Sequence, residues 1–421
     1  MSFFDIVSVL ITLAAVFGYV NHRWLKFEPS VGLLMISLLS SLGVMGLHWL
    51  FPQLDIVSQI RSVVGGIDFN EALMHGMLGF LLFAGALHVD IEYFIKRKAT
   101  IASLATIGLL MSTFIVGYLS WLLFNALGLE ISFLACLVFG SLISPTDPIA
   151  VMGTLKTLNA PKGLEANIAG ESLFNDGVAV VVFTGLVALL AAKTGHVGAH
   201  GADFGASELG LLFLKEAGGG VLLGLVAGYV AYRMMLSIDD YRVEVVITLA
   251  LVMGGYSLAW ALHVSGPIAV VIAGILIGNR GRSLAMSEEV ADYLEKFWEL
   301  IDEILNAILF MLIGVEVLVI TFTGKSLLAG LVIIVIVLFA RFISVLVPIS
   351  VIGLRNEFPK GVVTILTWAG LRGGISVALA LSLPPGPERN LILTSTYMVV
   401  LFSILVQGMT IKRVLARFLN N

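Results

Sequence analysis

A single cysteine, Cys136, leaves no second thiol for an intrachain disulfide. Charge is scarce too. Asp, Glu, Lys and Arg make up 12% of the 421 residues while 59% are apolar, against about a quarter charged in soluble domains. That balance excludes an ordinary soluble chain. The formal net charge of −4 argues against nucleic acid as a partner. No basic leader and no small-residue cleavage site accompany the first apolar stretch, so it is expected to remain as a membrane span. Hydrolase signatures are missing as well: there is no HExxH, no GxSxG and no GxGD, which excludes the usual intramembrane hydrolases. No enzyme activity and no cofactor are expected.

What the chain has is length in apolar runs. Stretches of about 18 to 25 residues recur, each sufficient to cross a hydrocarbon core. They fall at Phe3–Val20, Val31–Phe51, Ala72–His88, Ile101–Leu127, Ile131–Leu155, Ala166–Ala192 and Leu209–Leu236. The remainder fall at Val243–Leu262, Val264–Gly278, Leu300–Thr321, Leu327–Ile352, Gly361–Leu383 and Leu391–Leu415. The expectation is an all-α polytopic membrane protein of about thirteen spans in one transmembrane domain over residues 1–421. The eighth and ninth spans are parted only by a tight turn at His263.

Basic residues follow the same count. Loops after odd-numbered spans carry most of them, from Arg23 and Lys26 through Lys96, Arg97 and Lys98 to Lys412, Arg413 and Arg417. Loops after even-numbered spans hold only Arg61, Lys193, Lys215, Lys325 and Arg389. By the positive-inside rule the N-terminus faces outside and the C-terminus the cytoplasm, as expected of a multi-pass protein of the inner (plasma) membrane. His196 and His200 lie in the longest external loop, Lys193–Ser207, which reads as a solvated connection without further metal ligands. The acidic stretch Ser287–Glu299 reads as amphipathic and interfacial.

Five charged residues fall inside apolar spans: Asp147, Glu171, Asp176, Arg341 and Arg372. Charge at membrane depth is costly and marks function. Asp147 belongs to Ser144-Pro145-Thr146-Asp147-Pro148, where two prolines interrupt the fifth span. Unwound backbone there frees carbonyls that can hold a cation, and Asp147 faces the positive end of a half-helix. The plainer alternative is a kink with a capping aspartate. The twelfth span carries Gly370-Leu371-Arg372-Gly373-Gly374, a second break with a cation able to neutralise a half-helix C-terminal end. The two breaks hold the same place in two six-span halves of opposite direction, residues 1–192 and 243–416, with 209–236 linking them. An inverted repeat with crossed discontinuous helices is expected.

The sixth span carries Glu171-Ser172-Leu173-Phe174-Asn175-Asp176, with Ser172 and Asp176 on one helical face. Asp176 is the candidate exchange group. A carboxylate, a hydroxyl and freed carbonyls suit a hard monovalent cation. Burial disfavours the charged carboxylate, so proton and cation can compete for it. The alternative treats these groups as helix-packing polar residues. Glu171 needs a permanent cation, and Arg341 is the candidate for a structural pair. A cation channel would also use broken helices but has no need of a buried titratable acid.

These residues resemble the NhaP/NHE-like branch of the cation:proton antiporter superfamily. The likeness is carried by SPTDP (Ser144–Pro148), ESLFND (Glu171–Asp176) and GLRGGISVAL (Gly370–Leu379), and by the stretches His263–Asn279 and Phe297–Glu316. It implies a homodimer of thirteen-helix protomers with an NhaA-like fold, each with a core domain that moves against a dimerisation domain. It implies that Asp176, Ser172 and Thr146 line the sodium site, with Asn175 as a helix-fixing neighbour. Members with two adjacent aspartates at this place are typically electrogenic, and Asn175-Asp176 matches the electroneutral pattern. Ala84 stands where some members carry a glutamate. The chain ends soon after its last span, so no soluble regulatory domain is expected. Sodium, lithium and potassium are not told apart by spacing.

Overall fold

The computed structural model describes residues 3–51, 71–158, 160–194, 206–282, 285–318, 320, 323–353 and 361–419. His196, His200, Arg61 and the predicted span end at Thr321 lie outside the described residues. Among the described residues the elements are helical, and the one strand-like feature is an isolated bridge.

Helix α1 covers Phe3–Val20. Helix α2, Pro29–Leu50, starts on a proline, and its N-cap Glu28 accepts the Val31 N–H at 3.1 Å. Helix α3 is Ala72–Leu87 and α4 is Ile91–Ala126. Then come α5, Phe133–Ile143, α6, Ile149–Thr157, and the long α7, Lys162–Thr194. Helix α8 is Ala206–Met235, α9 is Tyr241–Ala261 and α10 is Gly266–Gly281. Helix α11, Glu288–Glu316, and α12, Gly324–Gly353, precede the short pair α13, Val362–Ala369, and α14, Gly374–Leu381. Helix α15 runs from Pro387–Phe402 through a π-turn at Ser403–Gly408 into Met409–Leu419.

Two predicted boundaries move. Helix α4 begins at Ile91, so Lys96, Arg97 and Lys98 project from helix and not from a loop. The reason is local: Asp90 accepts the N–H groups of Glu92 and Tyr93 and starts the helix early. Ser287–Glu299 is likewise continuous with the span that follows it. Ser287 caps α11, which continues from Glu288 to Glu316 without a break. The turn between α9 and α10 places His263 at φ 54°, in the left-handed region.

Seven helices among the described residues are long and apolar enough to cross a membrane. The bundle presents apolar side chains outward, with Trp260 70% and Leu214 69% exposed, while Glu171, Asp176, Arg341 and Arg372 are buried. That inversion suits a hydrocarbon solvent, in which backbone and charge must be satisfied internally. The largest core joins α2, α5, α11, α12 and α15 around Phe139, Phe310 and Tyr397, whose hydroxyl donates to the Ile313 carbonyl at 2.6 Å. Helix α8 meets α10 through Gly220 and Gly224, where an added Cβ would lie 2.6 and 2.4 Å from the carbonyls of Ser265 and Ala269. Small residues let the two backbones approach.

Candidate functional site

The two breaks meet. Helix α5 stops at Ile143 and α6 starts at Ile149, because Pro145 and Pro148 cannot donate within a continuous helix. Helix α13 stops at Ala369 and α14 starts at Gly374. Between them the Asp147 N–H donates to the Leu371 carbonyl at 2.9 Å, an antiparallel bridge between extended segments. Four half-helix ends therefore converge: two N-termini with free N–H groups and two C-termini with free carbonyls.

Charged side chains answer each end. Asp147 Oδ1 accepts the Ile149 N–H at 3.0 Å at the start of α6. Its Oδ2 lies against Gly373 at the start of α14, where an added Cβ would sit 2.1 Å away. Arg372 Nη1 donates to the carbonyls of Ser144 and, at 2.7 Å, Pro145, just past the C-terminus of α5. The cation of one break thus caps the helix of the other. Arg341 Nη2 donates to Leu366 O at 3.0 Å in the last turn of α13, so each C-terminal end has its own arginine.

Arg341 also forms a two-pronged pair with Glu171, Nη1 to Oε1 and Nη2 to Oε2, the latter at 3.0 Å. Both partners are buried. The sequence suggests the pair; the carbonyl of Leu366 is the addition made by the fold. A further support comes from the π-turn of α15. Ser403 Oγ accepts the Arg372 N–H at 2.8 Å and donates to Gln407 Oε1 at 2.8 Å, while Gln407 Nε2 donates to Trp368 O at 3.2 Å. Neither Ser403 nor Gln407 stands out in the sequence, because their partners are distant along the chain.

Helix α7 carries the remaining candidates. The Ser172 hydroxyl donates to the Thr146 carbonyl. Asn175 Oδ1 accepts the Thr146 N–H at 3.4 Å and its Nδ2 donates to Thr146 Oγ1 at 2.9 Å. Thr146 is therefore held at three points, and Asn175 ties helix α7 to the break of the fifth span. Asp176 lies one turn beyond Ser172 and is 8% exposed. Among the described residues no hydrogen bond or ion pair engages its carboxylate, and the charge acting on it is that of Asp147, of like sign. Such a group can persist as an anion only with a cation beside it, or else it takes a proton.

All eight predicted residues thus gather at one crossing. Ala84 is buried in α3. Glu28 and Asp302, which the sequence reading passes over, also lie within electrostatic reach of Asp147.

Residues 10–417 match the family described as sodium/hydrogen exchanger, transmembrane. The Na+/H+ antiporter NhaP of Pseudomonas aeruginosa is 48% identical over 98% of this chain and 96% of its own. The Na+/H+ antiporter NhaH of Halobacillus aidingensis is 34% identical over 98% of this chain and 97% of its own. In fold, the sodium proton antiporter MjNhaP1 of Methanocaldococcus jannaschii, solved at pH 8, superposes with a TM-score of 0.75 at 18% identity, covering all of both chains. The chain belongs to the transmembrane sodium/hydrogen exchanger family.

Proposed function

We propose that the chain is a secondary active antiporter exchanging sodium or lithium for protons, one for one, with Asp176 as the shared carrier of ion and proton. One observation carries this reading: a buried carboxylate with no cationic partner among the described residues lies one turn from a hydroxyl bonded to an unwound carbonyl. Sodium bound there takes oxygen from Asp176, Ser172 and Thr146, hard donors for a hard ion. Asn175, Asp147, Glu171, Arg341 and Arg372 keep the crossing in place. Loaded with either sodium or a proton the site is neutral, so the same carrier can cross between faces in both forms.

The names of the relatives support sodium and protons as the exchanged ions. The remaining architecture follows the same reading. Thirteen spans lie in the plasma membrane as a homodimer, with the N-terminus outside and the basic loops and C-terminus inside. Residues 1–192 and 243–416 form the inverted repeats, linked through 209–236. Support comes from two breaks at matching places that meet antiparallel.

The test is proton efflux from proteoliposomes on adding sodium, lithium or potassium in turn. Wild-type protein is expected to respond and Asp176→Asn to be silent while still folded. Exchange surviving in Asp176→Asn places the carrier elsewhere, and a response to potassium alone changes the ion.

A further inference from the structure

Helix α11 bears Asp302, Asn306 and Leu309 on one face, at i, i+4 and i+7. Leu309 lies against the start of α14: a Cβ added to Gly374 would meet its Cδ1 at 2.3 Å. The neighbouring Gly373 abuts Asp147. The face therefore leads from beside Asp147 back along α11 toward its N-terminal half.

Asn306 is 5% exposed and Asp302 half-buried. Asn306 lies one helical turn beyond Asp302, and its Oδ1 is buried with no partner among the described residues. The pair thus sets an anion and an orphaned acceptor one turn apart on a single helix face. No ion pair among the described residues engages Asp302 or its neighbours Glu299 and Glu303. Asp147 acts on Asp302 as a like charge, and Glu28 acts so on Asp147. A buried acceptor without a donor is costly, and acidic walls concentrate cations.

We propose that Asp302 and Asn306 form an outer, weaker binding site for a partly dehydrated monovalent cation, a staging point on the path to Asp176. The carboxylate and the amide oxygen replace part of the hydration shell. Once Asp176 releases its proton, its new negative charge draws the cation inward from the outer site. This inference rests on the reading of Asp176 as the exchange group.

Binding of radioactive sodium to purified full-length protein tests it. Asp176→Asn is expected to retain saturable binding of lower affinity, which adding Asp302→Asn removes and adding Asp302→Glu largely keeps. In proteoliposomes Asp302→Asn alone is expected to raise the sodium KM several-fold with the maximal rate retained. Absence of residual binding in Asp176→Asn, or residual binding indifferent to Asp302→Asn, overturns the outer site. So does an Asp302→Asn protein that melts earlier but keeps its sodium KM, since that is a structural role only. Failure of the underlying reading shows differently: Asp176→Asn would go on exchanging, and the staging role would fall with it.

Discussion

Asp147 and Gly373 stand in contact across the two broken helices, so close that a Cβ on Gly373 would lie 2.1 Å from Asp147 Oδ2 and 2.8 Å from its Cβ and Cγ. The aspartate serves two helix starts only because the facing residue has no side chain. Gly373→Ala must push the crossing apart. Overpacking of this kind costs about 1–3 kcal/mol, and the displaced Asp147 loses its place at α14. Loss of exchange is expected, with a lowered melting temperature in detergent. Full exchange by Gly373→Ala would mean that the two segments separate freely.

Glu171 and Arg341 test the structural role of a buried pair. Removing one partner of such a pair costs roughly 3–5 kcal/mol, because the other is left uncompensated. Glu171→Gln and Arg341→Met should each destabilise, and the double variant should lose less than the sum. Arg341→Met should be the worse single change, since it also strips the cap from Leu366 O. Melting temperatures of the set decide the matter. Simple additivity would show that the pair is not coupled.

Asn175 holds Thr146 by both its amide and its hydroxyl. Asn175→Ala frees both, and each lost hydrogen bond is worth about 1 kcal/mol. The expected effect is a sodium requirement raised by up to roughly thirtyfold, with the protein still folded. Ser172→Ala should act in the same direction by releasing the Thr146 carbonyl. Titration of exchange rate against sodium in proteoliposomes measures both. An unchanged KM in Asn175→Ala would separate Thr146 from the ion site.

Competition at Asp176 gives a bell-shaped pH profile. At low pH the carboxyl keeps its proton and sodium cannot load; at high pH sodium loads but protons cannot return. More sodium should shift the acidic limb to lower pH by mass action. One-for-one exchange further requires a rate insensitive to a clamped membrane potential. A limb that ignores sodium, or a rate strongly driven by voltage, contradicts this scheme.

Glu28 offers a pH test of stability outside the spans. Burial raises its pKa above the ordinary 4.5, outweighing its hydrogen bonds with Val31 and Ser30. A carboxyl with a raised folded pKa favours the folded state while protonated, and that contribution fades as pH rises through the folded pKa. Wild-type protein should therefore lose some thermal stability from about pH 4.5 upward, and Glu28→Gln should flatten that slope. Identical slopes for the two proteins would show that Glu28 ionises in the fold without penalty.

Much of this protein is determined by sequence alone. Apolar runs long enough for a bilayer dictate helices, since hydrocarbon offers the backbone no other partner. Pro145, Pro148 and Gly370-Leu371-Arg372-Gly373-Gly374 dictate where two of those helices must stop, because backbone hydrogen bonding and strain are local properties. Glu171, Asp176, Arg341 and Arg372 announce themselves by the cost of charge at depth. Who meets whom is another matter. That Arg372 caps α5, that Arg341 reaches Leu366, that Asn175 grips Thr146 and that Leu309 packs on Gly374 were decided by the tertiary structure. These contacts join groups that lie far apart along the chain, and periodicity carries no record of distance between helices. The reach of helix starts was decided by side chains such as Asp90 and Ser287, whose capping bonds outweigh the hydropathy at the span edges.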